Sequence, residues 1–446
     1  MTAVELPRTM DRVSAVLRGA WTSPTAPIWA AGVLIRLLVM PFTAHLDLYH
    51  IYSRAADAAY HGQWFDWGSQ LLIQTVHNVW LWLIKPLLPG AEPIWSRTAA
   101  ILGLGAQPGE FRVNFMNYAL LPRALFLMKL PYLAADLATG YVLTRIVTPE
   151  RRRRVLALWL LNPLVIYTSV IYGRHDSIAV LAVVVSIWAA SRGRRYAGLG
   201  LLGLGAVTRF FPFVLAPFYV ISYRRSRREL AVLAGGLIAI WAVMEIAVLA
   251  LTGSSPTLTL LNRYQHVDYL TDLVLPFRFN DQLFIFPAAY ALLTVWFFDR
   301  DPVGSCDYAA AGSAVFLVMF ALVFFQPAYA IWLVPLLALT IDRDSRLIGY
   351  HILQILLLGL FAMHWGTEMT TDLFLPLDPR GIGALPDPQT IVGAQIPADW
   401  FLGLVRSLFT ALSLWMAYRI LRTRFGPRAA RPDPAVALVE VVNEVR

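Results

Sequence analysis

The sequence predicts an all-α polytopic membrane protein with about 12 transmembrane segments, within a range of roughly 10 to 13, and with external amphipathic helices after the first span. Composition is the first reason: of the 446 residues, 58% are hydrophobic and 15% are charged, and the mean hydropathy is +0.59. A soluble globule of this size needs more polar surface. The second reason is that apolar runs alternate with short clusters of arginine.

The arginine clusters predict the orientation of the chain. Cytoplasmic loops of membrane proteins carry an excess of Lys and Arg. We therefore assign to the cytoplasm the clusters at 151–154, 192–195, 224–228, 343–346 and 419–428. The same clusters account for the net charge of +9, so nucleic acid is not an expected partner. Both termini are then expected in the cytoplasm.

The apolar runs thread the membrane in order between these clusters. Their expected bounds are 28–43, 117–147, 155–172, 176–190, 230–252, 279–298, 308–325, 328–340, 347–364 and 400–420. The run 196–222 lies between two basic clusters and contains Arg209 close to Pro212. Because two cytoplasmic ends require an even number of crossings, we expect this run to form a short broken hairpin.

The chain is expected to form one transmembrane domain over 1–426, followed by a flexible cytoplasmic tail at 427–446. The first external loop, 44–116, mixes tryptophan clusters with polar residues, which is typical of amphipathic helices at the membrane interface. A second external loop, 365–399, is rich in Pro, Gly and Asp. The single cysteine, Cys306, excludes an intrachain disulfide.

The most informative polar motif is His45-Leu46-Asp47, which directly follows the first apolar run. A carboxylate at the mouth of a membrane helix is costly to place and easy to avoid. The nearby Tyr49 and His50 favour a ligand site, whereas the plainer alternative is an ordinary loop aspartate. His45 and Asp47 also offer two ligands to a divalent ion, although no paired acidic motif accompanies them.

A second polar cluster, Gly173-Arg174-His175-Asp176, separates two apolar runs. A minimal turn needs a glycine and a polar residue, but it does not need Arg, His and Asp in succession. The functional interpretation makes Arg174 and His175 donors to an anionic ligand. The structural alternative is a capped turn, in which Asp176 is the N-cap of the following helix.

The cations Lys129 and Arg209 each lie within an apolar run. An ionisable residue inside a membrane segment is a functional-site hypothesis by default, because its burial is expensive. For Arg209, an ion pair with Asp136 is an equally economical explanation.

Two further polar sets lie on the external side of the predicted topology. Gln326 and Tyr329 form a turn at the start of the run 328–340, where the alternative is an aromatic belt at the membrane surface. Arg263 and His266 belong to a polar stretch in the loop 253–278, which is either an acceptor contact or simply a solvated loop.

These motifs resemble those of the GT-C superfamily of integral-membrane glycosyltransferases. The resemblance is closest to the polyprenyl-phosphate-mannose-dependent mannosyltransferases, including the bacterial α-mannosyltransferases and the catalytic subunit of GPI mannosyltransferase I. It spans 28–340 and rests on His45-Leu46-Asp47 in the first external loop, on the segment 173–176, on Arg209-Phe210-Phe211-Pro212 and on Gln326-Pro327-Ala328-Tyr329.

The resemblance implies a membrane enzyme that moves a hexose, in the first place mannose, from a polyprenyl-phosphate donor to a hydroxyl of a glycolipid or glycan. Asp47 would be the general base, and the anomeric carbon would invert. The donor phosphate would be bound by Arg174, His175, Arg209, Arg263 and Lys129. Substrate contacts would come from His45, Tyr49, His50, Asp176, His266, Gln326 and Tyr329.

No cofactor is expected from this hypothesis, and no metal site is assigned, although divalent metal assistance stays open. The expected location is a bacterial plasma membrane, with the site facing the exterior. The leading alternative is a secondary transporter or lipid flippase. Transporters commonly have charged sites at the membrane midplane and repeated halves, whereas this chain gathers its polar motifs at predicted external helix ends.

Overall fold

The computed structural model describes residues 24–65, 70–96, 108–263 and 268–426, and it is 79% helical. The predicted helical class is confirmed. The tail 427–446, His266 and the side chain of Arg263 lie outside the described residues, so the predictions made for them stay predictions.

The first half of the fold is built of helices that follow one another closely. Their bounds are α1 Ala26–Val39, α2 Leu46–Ala56, α3 Leu71–Ile84, α4 Pro108–Glu110, α5 Leu121–Ile146, α6 Pro149–Leu160, α7 Pro163–Ile166, α8 Asp176–Ser191, α9 Arg195–Thr208 and α10 Phe211–Tyr223. Turns of π-helix extend α2, α4 and α7 over Asp57–His61, Phe111–Phe115 and Tyr167–Tyr172. Turns of 3-10 helix occupy Met40–Phe42, Lys85–Leu87 and Glu92–Ile94.

The second half continues with longer helices and one small hairpin. The helices are α11 Arg227–Thr252, α12 Pro256–Arg263, α13 Ile285–Phe298, α14 Gly304–Leu322, α15 Val334–Ile341, α16 Ser345–Phe361, α17 Pro379–Gly383, α18 Pro388–Gly393 and α19 Ala398–Phe425. The antiparallel strands are β1 Val274–Pro276 and β2 Gln282–Phe284. Turns of 3-10 helix occupy Asp268–Leu270, Arg278–Asn280, Pro327–Trp332, Ala362–Trp365 and Thr371–Phe374.

The protein is a helical membrane protein. Among the described residues, four helices are long and apolar enough to cross a membrane, namely Arg227–Thr252, Gly304–Leu322, Ser345–Trp365 and Ala398–Phe425. The number rises to six if two bent pairs each form one span, which are Ala26–Phe42 with Leu46–His61 and Pro149–Leu160 with Pro163–Tyr172. Nearly every side chain of α14 is buried, whereas α11 is exposed along most of its length, so α14 lies at the centre of the fold.

Polar residues cause the helix breaks. Between α6 and α7, the side chain of Asn162 accepts a hydrogen bond from the Leu164 N–H at 3.0 Å and caps the helix that Pro163 begins. The predicted broken hairpin at 196–222 is present as α9 and α10, which are interrupted at Arg209. Both breaks leave backbone and side-chain polar groups close to the centre of the fold.

One predicted helical run begins before the helix that the structure contains. The run 279–298 was expected to be helical throughout, but α13 begins at Ile285. The preceding residues form the hairpin in which Leu275 pairs with Leu283. Strand pairing therefore competes successfully with helix formation in this apolar stretch.

The first helix is held to its neighbours by a fully buried ion pair. Arg36 Nε donates to Asp136 Oδ2 at 2.7 Å, and Arg36 Nη2 lies 3.2 Å from Asp136 Oδ1. Arg36 Nη1 donates to the carbonyl oxygens of Gly32 and Leu160, and Ser169 Oγ donates to Asp136 Oδ2 at 2.7 Å. Both charged side chains have no exposed surface. The pair thus joins α1, α5 and the segments on either side of Asn162.

This ion pair corrects one expectation. Asp136 was considered as the partner of Arg209, but its carboxylate is occupied by Arg36. Arg209 instead pairs with Asp176 at 3.1 Å. The two acids are far apart in the chain, and sequence spacing does not decide which arginine reaches which acid.

We predict that Asp136→Ala destabilises the fold by about 3–5 kcal/mol, because it leaves Arg36 buried without a counter-charge. Thermal unfolding of the purified protein in detergent measures the loss. The control is Asp301→Asn, because Asn tolerates the positive φ of this position. The Asp301 side chain is 86% exposed beside Arg224, and the loss is expected below about 1 kcal/mol. The double variant Arg36→Met with Asp136→Leu should recover most of the stability. Equal losses in the two single variants would contradict this role.

Candidate active site

Asp47 lies in the first turn of α2, where a histidine fixes the start of the helix. His45 is the N-cap residue, and its Nδ1 accepts a hydrogen bond from the Asp47 N–H at 3.0 Å. The imidazole ring of His45 stacks on Tyr172 with ring centroids 3.8 Å apart. The side chain of Asp47 is 38% exposed, whereas that of His45 is 1% exposed. The carboxylate of Asp47 is therefore held in place yet reachable.

The Asp47 carboxylate receives two hydrogen bonds, one from Tyr172 at the end of the π-helical turn and one from Arg174 in the loop that follows. Its Oδ2 accepts from the Tyr172 hydroxyl at 2.9 Å and from Arg174 Nη1 at 3.0 Å. A charged donor and a neutral donor both favour the ionised carboxylate. Asp47 is accordingly an anion whose side chain is partly exposed.

Arg174 contacts several other polar side chains of the site besides Asp47. Its Nη1 also donates to Gln326 Oε1 at 2.8 Å, its Nη2 donates to the Tyr329 hydroxyl at 3.2 Å, and its Nε lies 2.7 Å from Asp176 Oδ2. Its side chain is 7% exposed. The preceding Gly173 has a φ of +77°, and a Cβ there would lie about 3 Å from two neighbouring side chains, so the turn that aims Arg174 requires glycine.

Asp176 connects Arg174 to Arg209. Its Oδ1 accepts from Arg209 Nε at 3.1 Å and from Trp332 Nε1 at 2.6 Å, and its side chain is fully buried. The predicted alternative, in which Asp176 caps α8, is not what the structure has, because His175 occupies the N-cap position. Asp47, Arg174, Asp176 and Arg209 thus form an alternating series of charges, which we call the charge network.

An aromatic layer supports the charge network. The rings of Tyr329 and Trp332 stack with centroids 4.6 Å apart, and Phe211 stacks on the other side of Trp332 at the same distance. The guanidinium of Arg174 lies 4.6 Å from the Tyr329 ring centroid, and that of Arg209 lies 5.6 Å from it. These cation–π contacts offset part of the cost of burying two guanidinium groups.

Arg209 contacts both the charge network and a cavity. Its Nε binds Asp176, but its terminal nitrogens have no hydrogen-bond partner among the described residues. The same side chain lines a cavity of about 500 Å³, here called the Arg209 cavity. The walls of this cavity are mainly apolar and include Phe210, Phe213, Leu237, Ile238, Trp241, Met244 and Val248. A cation with free donors therefore stands at the wall of an apolar space.

His175 is buried beside the charge network and is neutral. Burial lowers the pKa of its imidazole well below the usual range, and the positive charge of Arg209 acts in the same direction. Its ring lies edge-on to His77 with centroids 5.5 Å apart. Neither ring nitrogen has a partner among the described residues. Such unpartnered buried atoms are uncommon and suit a bound water or a polar group of a ligand.

Two of the predicted ligand residues, Lys129 and Tyr49, occupy structural positions. Lys129 has no exposed surface, and its Nζ donates to the Met40 carbonyl at 3.0 Å and to Thr43. Tyr49 is likewise buried, and its hydroxyl donates to the Ile94 carbonyl at 2.7 Å. These placements remove Lys129 and Tyr49 from the reach of a substrate.

His50, a further predicted ligand residue, contacts a residue of its own helix. Its ring nitrogen Nε2 contacts the guanidinium of Arg54, one turn later in α2. This contact ties the imidazole to the helix surface. The substrate contact expected at His50 stays a prediction.

Sequence reasoning assigned no role to three residues that the structure brings to the site. Tyr172 donates to Asp47, Trp332 donates to Asp176, and Glu368 Oε1 lies 3.2 Å from His45 Nε2. Tyr172 and Trp332 stand next to motifs that were recognised, so their position in the sequence is a usable signal. Glu368 lies in an irregular loop and carries no such signal.

We predict that substitutions of the two carboxylates in the charge network differ in their effect on stability. Asp176→Ala leaves two buried guanidinium groups without their shared carboxylate, and we expect a loss of about 3–5 kcal/mol. Asp47→Asn keeps the shape of a partly exposed side chain and is expected to cost less than about 1 kcal/mol. Thermal unfolding in detergent compares the two variants. Equal destabilisation would mean that the network is not anchored at Asp176.

Among the described residues, no group of three or more His, Cys, Asp or Glu side chains is arranged to hold a metal ion. The divalent ion considered for His45 and Asp47 therefore gains no support from geometry. Comparisons with protein-family models, with curated proteins and with solved structures found no match to this chain.

Proposed function

We propose that this protein is a membrane glycosyltransferase, which moves a hexose, in the first place mannose, from a polyprenyl-phosphate donor to a hydroxyl of a glycolipid or glycan. One observation carries the proposal. The charge network joins a partly exposed carboxylate, Asp47, to a cation with free donors, Arg209, at the wall of an apolar cavity. These are the parts that such a reaction needs: a base, an anion site and a place for a lipid.

The carboxylate of Asp47 is suited to accept the proton of the attacking hydroxyl. A hydroxyl is a poor nucleophile, and a base that accepts its proton accelerates transfer by roughly 100- to 10,000-fold. The side chain of Asp47 is ionised and partly exposed, so that a hydroxyl can approach it. As the hydroxyl oxygen bonds to the anomeric carbon, its proton passes to Asp47 and the bond from that carbon to the phosphate oxygen breaks. Attack opposite to the leaving phosphate inverts the anomeric carbon.

The guanidinium groups of Arg174 and Arg209 are suited to a reaction with a phosphate leaving group. Polyprenyl phosphate gains negative charge as its bond to the sugar breaks, and fixed cations stabilise that charge more strongly than they stabilise the ground state. The free nitrogens of Arg209 are available for phosphate oxygens, whereas Arg174 is already committed to Asp47, Asp176 and Gln326. We therefore assign the first phosphate contact to Arg209, and the orientation of Asp47 to Arg174.

The Arg209 cavity is suited to bind the polyprenyl chain of the donor. A mainly apolar cleft with a few polar groups at one place is the usual form of a binding site for an amphipathic ligand. The Arg209 cavity has this form, with Arg209 as its cation and walls from α9, α10 and α11. A polyprenyl chain in the cavity would bring its phosphate to Arg209.

The membrane arrangement belongs to the same proposal. Twelve crossings with both termini in the cytoplasm would put Asp47 and Arg174 at the external face of a bacterial plasma membrane, where a lipid-linked sugar meets its acceptor. The break at Arg209 supports an even number of crossings, because α9 and α10 form two short limbs.

We predict that Asp47→Asn lowers the rate of sugar transfer from polyprenyl-phosphate-mannose to octyl α-mannoside by 100-fold or more, since the amide cannot accept the proton. Binding of the donor should persist. Asp57→Asn is the matched control, because Asp57 follows directly on the same helix outside the charge network, and its transfer rate should stay within about twofold.

Two results would refute this assignment. Transfer at the wild-type rate by Asp47→Asn would remove Asp47 as the base. Movement of a solute or lipid across vesicles without consumption of any polyprenyl-phosphate sugar would favour a transporter or flippase. A donor series with several polyprenyl-phosphate hexoses identifies the sugar in the same assay.

Arg209 offers a second test. Arg209→Met should lower the turnover number about 100-fold on the folded fraction, because it removes the charge that meets the leaving phosphate. Arg209→Lys should retain part of the activity, since it keeps the charge and loses the planar fork. Phe213→Leu changes the same cavity wall without a change in charge and serves as the control. Wild-type turnover by folded Arg209→Met would show that the phosphate lies elsewhere.

A further inference from the structure

A second cavity lies on the far side of His45 from the Asp47 carboxylate. Its volume is about 240 Å³, and it is lined by His45, Phe111, Arg112, Glu368 and Asp372. We call it the His45 cavity. It joins the start of α2, the π-helical turn Phe111–Phe115 and the turn Thr371–Phe374, and the backbone N–H of Ala44 donates to the Leu373 carbonyl at 2.9 Å beside it.

His45 presents an unused hydrogen-bond donor to this cavity. Its Nδ1 accepts from the Asp47 N–H, so in the neutral ring the proton is on Nε2. Nε2 is buried and makes no hydrogen bond to any described residue, although Glu368 Oε1 is 3.2 Å away. A buried donor without an acceptor is unfavourable, so a ligand oxygen at this point would satisfy it.

Glu368 presents an unused acceptor beside that donor. Its side chain is 53% exposed, and apart from the approach to His45 it has no hydrogen-bond partner among the described residues. A hydroxyl group both accepts and donates, so one hydroxyl can accept from His45 Nε2 and donate to Glu368. A phosphate or carboxylate oxygen has no proton to donate and would meet a like charge.

The remaining polar groups add a second set of hydroxyl partners. Asp372 accepts from Arg112 at 2.6 Å, and Arg112 is half exposed. Asp372 and Arg112 balance each other, whereas Glu368 leaves one negative charge in excess. Phe111 provides an apolar wall. Donors, acceptors and one apolar wall without net positive charge are suited to a neutral ring that carries several hydroxyls.

We propose that the His45 cavity binds a neutral hexose ring of the acceptor, next to the ring whose hydroxyl is glycosylated. This inference rests on the proposed function, which it extends from the reaction to the acceptor. The imidazole of His45 separates the cavity from Asp47, with Nδ1 3.8 Å from Asp47 Oδ1 and Nε2 on the cavity side. One ring cannot occupy both places, so the preferred acceptor has at least two sugar rings.

Direct binding tests the proposal without a donor. Saturation-transfer NMR on the purified protein in nanodiscs compares methyl α-mannopyranoside, methyl mannobiosides of each linkage, and methyl glucuronide. At least one mannobioside should bind about tenfold more tightly than the monosaccharide, and the charged glucuronide should bind more weakly than the neutral glycosides.

Two variants remove the proposed contacts. His45→Asn retains a side-chain oxygen that can cap α2 but loses the Nε2 donor, and Glu368→Gln loses the charged acceptor. Each should weaken binding of the mannobioside about tenfold and remove its advantage over the monosaccharide. In transfer assays, Glu368→Gln should raise KM for the mannobioside acceptor by a similar factor, with a smaller change in kcat. Glu92→Gln, an exposed carboxylate lining other cavities, is the control and should change neither quantity.

The outcomes separate the two proposals. Sugar binding that both variants weaken, without any transfer from polyprenyl-phosphate sugars, supports the His45 cavity and refutes the transferase. Transfer with an unchanged acceptor KM in Glu368→Gln refutes the cavity assignment and leaves the transferase standing. No preference for the disaccharide in the wild type, or tighter binding of the glucuronide, also overturns the cavity assignment.

Discussion

The constraint on which the rest of the structure depends is that every charge of the buried network needs an opposite charge beside it. Arg174 and Arg209 are both nearly buried, and they share the carboxylate of Asp176, which has no exposed surface. Removing a partner from such a group costs far more than the pair contributes. The network therefore holds α2, α8, the break between α9 and α10, and the turn Pro327–Trp332 in one arrangement. The geometry of the candidate site and the packing of the helices therefore depend on the same contacts.

The helical class and the main polar motifs could be predicted because they depend on local composition. Apolar runs between arginine clusters identify a membrane protein, and a cation beside a proline identifies the break at Arg209. The hairpin Val274–Pro276 with Gln282–Phe284 could not be predicted in this way, because short apolar stretches suit a helix and a strand equally well. The pairing of Arg36 with Asp136 also escaped prediction, since it joins residues 100 positions apart.

The candidate site was predicted in part for the same reason. Asp47, Arg174, Gln326 and Tyr329 were each singled out locally, and the structure brings them within hydrogen-bond distance of one another through Arg174. Lys129 shows the limit of local reasoning. A lysine in an apolar run has the same appearance whether it faces a ligand or, as here, the carbonyl oxygens of a neighbouring helix end. Only the three-dimensional packing distinguishes these cases.

Both carboxylates of the network lie in the first turn of a helix, Asp47 in α2 and Asp176 in α8. The aligned peptide dipoles place a partial positive charge at each of these ends, which stabilises an acidic side chain by about 0.3–1 kcal/mol. The two acids are thus partly neutralised by backbone before any guanidinium is considered. The helix ends therefore add a positive contribution to a network that is neutral by formal count, and this contribution favours an approaching anion without any side chain changing its protonation state.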